Sequence, residues 1–486
     1  MSGELNLDYS LLTPEFCLGG LAALIFALDL FVPRFRKEWL PYLTAAGLVA
    51  VLGISLGWLN KESDFAGLLS IDNYTTFFRV FFTATTAVVA LSSAHFVQAR
   101  LRHPGEFYGL LVLSTIGAIY MASARELLTA YIALELLSFC LYVLVSLAKF
   151  DPRSNEGGLK YILLGAFSSA LFLYGLSLIY GSAGSTFYAE IAASYAGGTD
   201  GFELGLLMGL VLVLAGLGFK VAAVPFHMWT PDAYEGAPLP ITAYLSATSK
   251  AAGFALLLRL FSGAFLPVRG DWQWMIAALA ALTMVLGNLV ALQQHNIKRL
   301  LAYSSIGQVG YMLMAIAALS PDSSAPATAL LFHMAGYVIT NLAAFTCIIA
   351  WYNLTGKEEI SGFRGMAERA PLLAGALTAA LFSLSGMPLF AGFFTKFILF
   401  QAVASEGFLW LAIIAVIMSF VSLYYYLQVI KELYISEPEE PGRLAVPAVI
   451  NGLTLVLVAG VFYVGIFPRH LLEAAQGATS LLFPNI

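Results

Sequence analysis

Residues Gly216–Phe254 read GLGFKVAAVPFHMWTPDAYEGAPLPITAYLSATSKAAGF. Lys220 and Lys250 stand inside stretches that otherwise hold small and apolar residues, and Pro225 interrupts the first of them. Each stretch continues outward as an apolar run of spanning length, since about 20 residues cross the hydrocarbon of a bilayer. A charged group at mid-membrane costs roughly 2.5–3.5 kcal/mol on insertion scales. A chain that keeps two such lysines needs a use for them.

The rest of the chain agrees with a membrane reading. Of 486 residues, 60% are hydrophobic and 11% charged, and mean hydropathy is +0.83. Soluble domains carry roughly 25% charged residues because a wet surface needs them. The composition therefore predicts an all-α polytopic membrane protein. Strand alternation is missing, which argues against a β-barrel. The net charge of −5 and the lack of a basic block give no sign of nucleic-acid binding. Cys17, Cys140 and Cys347 lie far apart in apolar runs, so they read as packed thiols and not as a metal-ligand set. The start, MSGELNLDYSLLTPEF, is acidic, and the first apolar run is expected to be a permanent span.

About 14 transmembrane helices are expected, over residues 11–32, 39–59, 74–97, 107–123, 126–148, 159–180, 204–228, 240–263, 272–294, 299–319, 325–350, 371–404, 408–430 and 444–467. Loop charge tests this count. The odd-numbered loops hold fifteen basic residues, among them Arg34, Arg36, Lys37, Arg153, Lys298 and Arg299; the even loops and the C-terminal end hold Lys61, Arg125, Arg269 and Arg469. That bias predicts odd loops in the cytoplasm and both termini outside, on the periplasmic side.

Two segments read as broken: segment seven at Pro225, and segment twelve in SLSGMPLFAGFF at Gly386, Pro388 and Gly392. Proline removes a backbone donor and crowds the preceding turn. Paired interruptions at matching places in two halves point to an ion or substrate path. Segments seven and twelve are five apart, so a five-helix repeat of helices 4–8 and 9–13 is expected. RELLTAYIALE (Arg125–Glu135) and KRLLAYSSIGQ (Lys298–Gln308) are its best sequence match. The expected division is 1–106 for helices 1–3, 107–263 and 272–434 for the two bundles, and 435–486 for helix 14.

Five basic residues fall inside spans: Arg79, Lys220, Lys250, Arg259 and Lys396. Glu135 lies near the middle of segment five and cannot reach water. We expect it to partner Lys220, where burial disfavours the ammonium and a carboxylate favours it. Tyr131 and Ser138 are placed to support Glu135, and Ser246 and Ser249 to solvate Lys250. His227 and His333 are possible relay members, because imidazole titrates near neutrality. Arg79 and Arg259 lie near helix ends and are expected to lift their heads to the interface. Glu135, Lys220, Lys250 and Lys396 together read as a proton path, since amines alternate between cation and neutral base whereas metal cations want oxygen cages. The chain shows no dinucleotide loop, no phosphate-binding loop, and no haem or iron–sulfur spacing.

The stretch FKVAAVPFHMWTPDAYEGAPLPITAYLSATSKAAGF, with the later SGMPLFAGFFTKF, resembles the subunit N family of bacterial respiratory complex I (NADH:quinone oxidoreductase). The resemblance spans nearly the whole chain; the sister subunits and the multi-subunit cation/proton antiporters share only the broader theme. It implies two inverted five-helix half-channels with interrupted helices 7 and 12. By position it makes Glu135, Lys220, Lys250 and Lys396 the proton-translocating groups, the Glu135–Lys220 pair opening and closing to shift the affinity of Lys220. It implies a multi-pass subunit of a translocase in the bacterial cytoplasmic (inner) membrane, with no redox chemistry and no cofactor of its own. FMN, iron–sulfur clusters and quinone would sit in partner subunits. The other membrane-arm subunits would be the neighbours, linking the chain to the hydrophilic redox arm. A subunit of a cation/proton antiporter, or of a hydrogenase- or ferredoxin-linked relative, is the competing reading.

Overall fold

The computed structural model describes residues 8–32, 37–197 and 203–483. Arg34 and Arg36, counted above among the basic loop residues, lie outside the described residues. The architecture is almost entirely helical. In chain order the principal helices are α1 (Thr13–Phe31), α2 (Leu40–Leu56), α3 (Asn73–Ser92), α4 (Pro104–Ser123), α5 (Leu127–Val145), α6 (Pro152–Ala183) and α7 (Glu203–Val221). They continue as α8 (Leu239–Gly263), α9 (Arg269–Ala291), α10 (Ile297–Ala317) and α11 (Ala325–Thr355). Last come α12 in two pieces (Pro371–Ser385 and Ala391–Ser405), α13 (Leu409–Tyr434), α14 (Ala448–Ile466) and α15 (Pro468–Thr479). Among the described residues, twelve helices are long and apolar enough to cross a membrane, and α2 and the two pieces of α12 are shorter apolar helices. These shorter ones occupy the second and twelfth expected segments.

Local chemistry starts and stops these helices where the sequence changes. Glu126 caps α5 by accepting from the Thr129 amide at 2.7 Å, and Asn296 caps α10 by accepting from the Lys298 amide at 2.9 Å. Pro152 opens α6 at a position whose amide needs no partner. The long helices α6 and α11 both end on a left-handed glycine, Gly184 (φ +73°) and Gly356 (φ +71°), a conformation that other residues adopt at a cost. A small hairpin, Ser63–Phe65 with Leu69–Ile71, was not legible in the sequence. Its two short strands alternate too briefly to show a period.

The loops sort onto two faces. On one, Arg153 and Lys298 share Glu358 at 3.2 and 2.9 Å, and Arg299 reaches Asp232 at 2.9 Å and Glu235 at 2.8 Å. Arg364 pairs with Glu432 and Arg369 with Glu440 on the same face. These are the odd-numbered loops, and we call this the basic face. On the opposite face Arg125 reaches Asp64 at 2.6 Å, Tyr9 packs on Phe65, and Thr328 bonds Thr479 of α15 at 2.8 Å. The described ends of the chain therefore share the face of the even loops.

Burial is graded from centre to rim. The apolar window of α8 is 100% buried, and those of α10 and α11 are 94% buried. The window of α13 is only 28% buried. The helix that carries Lys250 is thus a central one, shielded from lipid by its neighbours.

Candidate functional site

Both expected interruptions are present. Segment seven stops being helical at Val221, seven residues short of the expected end, and turns through Ala222 (φ +68°) and a cis Val224–Pro225 peptide. It resumes as a short helix, Trp229–Gly236. Backbone groups exposed by such a break must be covered by protein or water inside a membrane. Here the Val224 amide donates to Thr283 Oγ1 of α9 at 3.0 Å, and Trp229 Nε1 donates to the Phe219 carbonyl at 2.9 Å. Segment twelve breaks from Gly386 (φ +91°) to Phe390. There Ser383 Oγ accepts from the Gly392 amide, and the Leu384 carbonyl accepts from Lys396 Nζ at 2.8 Å. A cation at the carbonyl end of a half-helix is well placed, since that end carries partial negative charge.

Lys220, Lys250 and Lys396 are 3%, 2% and 4% exposed. Lys220 Nζ donates to Ser138 Oγ of α5 at 2.9 Å. This corrects one expectation: Ser138, and not Glu135, touches the ammonium, and no ion pair within 4.0 Å joins Glu135 to Lys220. Glu135 lies one turn earlier on α5, half-buried, with Oε1 buried and unpartnered. Tyr131 is half-buried one turn before Glu135. A cavity of about 10 Å³ beside Lys220 and Ser138 is at the lower bound for one water.

Lys250 follows a π-helical turn, Leu245–Ser249, which sequence periodicity did not reveal. Such turns recur at functional sites. Its Nζ donates to Ser305 Oγ of α10 at 2.6 Å and lies 5.5 Å from the Tyr234 ring centre. The hydroxyl on Lys250 therefore comes from α10, where we expected Ser246 or Ser249. Ser246 instead donates to the Ala243 carbonyl and accepts from Asn341 Nδ2 of α11 at 2.5 Å. Gly253, one turn past Lys250, lies against Lys220, where an added Cβ would meet the lysine stem at 3.4 Å. Helices α7 and α8 thus pack closely beside Lys220, one turn from Lys250.

Lys396 Nζ also donates to Ser419 Oγ of α13 at 3.1 Å and lies 5.0 Å from the Tyr311 ring centre. A cavity of about 360 Å³ opens beside it, walled by Gly386, Pro388, Phe397, Phe420 and Ser419. His333 Nδ1 is 3.1 Å from Thr395 Oγ1, next to Lys396, and its Nε2 is buried and unpartnered. His227 lies half-buried in the first break, with Nδ1 unpartnered and no hydrogen bond to any of the lysines.

Two residues contradict their expected role. Arg79 is 0% exposed and grips Glu15 of α1 with Nε and Nη2, at 2.7 and 2.9 Å. Arg259 grips Asp72 at 2.7 and 3.0 Å and donates to Thr75 and to the Ala122 carbonyl. Neither snorkels; each is a buried fork-on-fork ion pair. Periodicity could not have matched partners 64 and 187 positions apart. Cys140 and Cys347 are buried and Cys17 partly so, all as free thiols.

A membrane bundle whose two interrupted helices each hold a buried lysine has the build of an antiporter-like membrane protein. Residues 124–422 match the family model described as NADH:quinone oxidoreductase/Mrp antiporter, TM. The chain belongs to that family. It is 42% identical over 476 residues to the NADH-quinone oxidoreductase subunit N of Moorella thermoacetica, covering 97% of this chain and 98% of the relative. It is 43% identical over 415 residues to the NAD(P)H-quinone oxidoreductase subunit 2 of a Picosynechococcus strain, covering 85% and 78%. Among solved structures, a chain of the respiratory complex I of Thermus thermophilus superposes with a TM-score of 0.80 at 30% identity, covering 96% of this chain and 100% of that one. A chain of an archaeal membrane-bound sulfane sulfur reductase superposes at 0.84 with 25% identity, covering 98% of each.

Proposed function

We propose that this chain is the antiporter-like, proton-translocating membrane subunit of an NADH:quinone oxidoreductase, of the subunit N type. It couples electron transfer from NADH to quinone, carried out in other subunits, to proton movement through Glu135, Lys220, Lys250 and Lys396. The observation that carries this reading is the run of three buried amines, each resting on a serine hydroxyl contributed by another helix. A structural lysine needs only to be satisfied. A lysine that hands on a proton needs a neighbour able both to accept and to donate, which a hydroxyl is.

In this reading residues 107–263 and 272–434 form two inverted half-channels, with fourteen crossings in all. One feature, present in both halves, supports it. Leu127 N–H to the Thr186 carbonyl and Tyr188 N–H to the Arg125 carbonyl make a two-bond clasp on the opposite face. Ile297 N–H to the Glu358 carbonyl and Ile360 N–H to the His295 carbonyl repeat it on the basic face. The basic loops face the cytoplasm and the termini the periplasm, across the bacterial inner membrane. FMN, iron–sulfur clusters and quinone belong to partner subunits, reached through neighbouring membrane-arm chains and the hydrophilic arm.

The test is proton uptake by inverted vesicles during NADH oxidation by the intact assembly. Lys220→Met and Lys396→Met should each depress proton translocation while the complex still assembles. Unchanged pumping in both variants would refute the proposal. Sodium-driven antiport by the chain isolated from any redox subunit would replace it with the antiporter reading.

A further inference from the structure

Between Lys250 and Lys396 the structure places two polar side chains of α10; the function above uses the first only as the rest for Lys250 and does not use the second. Ser305 and Gln308 are 2% and 3% exposed and one helical turn apart, so they share a face. Ser305 Oγ accepts from Lys250 Nζ at 2.6 Å and donates to the Ala302 carbonyl at 2.7 Å. Gln308 Nε2 donates to the Leu384 carbonyl at 3.3 Å, the same oxygen that accepts from Lys396 Nζ at 2.8 Å. Gln308 Oε1 is buried with no protein partner. A buried acceptor of this kind is ordinarily satisfied by water.

The repeat gives these two positions a meaning. Gly117 of α4 packs on the backbone of Ala133 and Leu137 of α5; Gly287 of α9 packs on the backbone of Tyr303 and Gly307 of α10. The capping bridges at Glu126 and Asn296 keep the same interval. All four equivalences step by 170 positions, three fewer than the sequence match of Arg125–Glu135 with Lys298–Gln308 demands. In the structural register Glu135 corresponds to Ser305, and Ser138 corresponds to Gln308. The second bundle therefore has a hydroxyl where the first has its carboxylate, and an amide where the first has the hydroxyl that touches Lys220.

We propose that Ser305 and Gln308 form the proton relay between Lys250 and Lys396, taking in the second bundle the places of Glu135 and Ser138 in the first. This rests on the translocation reading above. Lys250 ammonium gives its proton to Ser305 Oγ, while the Ser305 O–H swings from the Ala302 carbonyl and gives its own proton to a water held on Gln308 Oε1. That water passes one proton to the neutral Lys396 amine. One proton has moved, Lys250 is left neutral, and only N–H and O–H bonds have been made or broken. With no carboxylate at the Ser305 position, no fixed anion traps the proton between the two amines.

The experiment uses the assembled oxidoreductase in vesicles, with Ser305→Ala, Ser305→Thr, Gln308→Leu and Gln308→Glu set beside Lys396→Met. Proton translocation is followed across a pH series. Ser305→Ala and Gln308→Leu should slow translocation by about tenfold, a modest share of what a positioned proton-transfer group contributes. Ser305→Thr keeps the hydroxyl and should restore the rate. Gln308→Glu should move the pH profile to higher pH, because a carboxylate there favours the ammonium forms. If Lys396→Met stops translocation while Ser305→Ala and Gln308→Leu leave rate and pH profile unchanged, the relay is wrong and the translocation reading stands. If Ser305→Thr is as slow as Ser305→Ala, or the Gln308→Glu profile does not move, the two residues only pack and the relay is overturned. If Lys396→Met also translocates normally, both proposals fall.

Discussion

Arg79 keeps one guanidinium nitrogen, Nη1, without a partner even though Glu15 and the Leu11 carbonyl take the others. The pair is costly to bury and costly to break, for the same reason: away from water, each charge depends chiefly on the other, with the Leu11 carbonyl as the one further acceptor for Arg79. Removing one partner of such a pair strands the second, at about 3–5 kcal/mol, whereas replacing both with apolar groups is often neutral. Arg79→Met should therefore sharply lower the thermal unfolding temperature of the purified protein in detergent. Arg79→Met with Glu15→Leu should recover most of the loss. A double variant as unstable as the single one would mean that the guanidinium contributes by packing and not by charge. In the sequence Arg79 showed only its position near a helix end, and position alone favoured the wrong reading.

At the scale of the element, the two breaks were legible because proline and glycine announce themselves in an apolar run. Their geometry was not. Gly386 takes φ +91°, and a Cβ there would lie 3.3 Å from Lys396 Cδ. Alanine at this position meets both a backbone penalty of about 1–2 kcal/mol and the stem of the lysine. Gly386→Ala should thus displace Lys396 from the Leu384 carbonyl and lower proton translocation more than it lowers the yield of folded assembly. Yield and translocation falling in step would assign the glycine to folding alone. The π turn before Lys250 and the resulting choice of Ser305 over Ser246 could not be read from spacing, because one extra residue in a turn rotates every later side chain. The half-buried Glu135 was found by its charge, and its separation from Lys220 was not, because a one-turn offset decides which side chain of α5 meets the amine.

For the whole molecule, loop charge was the most informative signal: among the described residues, ion pairs tie five of the odd loops together on one face. Asp232 sits in that web, bonded by Lys160 at 2.7 Å and Arg299 at 2.9 Å. Partial burial pushes its carboxyl up, but these hydrogen bonds and charges prevail and hold it below the usual carboxylate range. A depressed folded value means that the stabilisation is present above the unfolded value of about 3.9 and fades as pH drops through the folded one. Asp232→Asn should unfold at a lower temperature than the parent at pH 7, with the gap closing below about pH 4. A gap that stayed constant through that range would show that the carboxylate's charge is not what joins the loops.

The two deeply buried arginine pairs also have a direction in time. In both, the acid precedes the base along the chain: Glu15 comes 64 positions before Arg79, and Asp72 comes 187 before Arg259. A carboxyl can enter lipid as a neutral acid and wait, whereas guanidinium cannot shed its charge. At ribosomal speeds of about 5–20 residues per second, Glu15 waits roughly 3–13 s for Arg79. Each arginine therefore leaves the ribosome after the carboxyl that neutralises it.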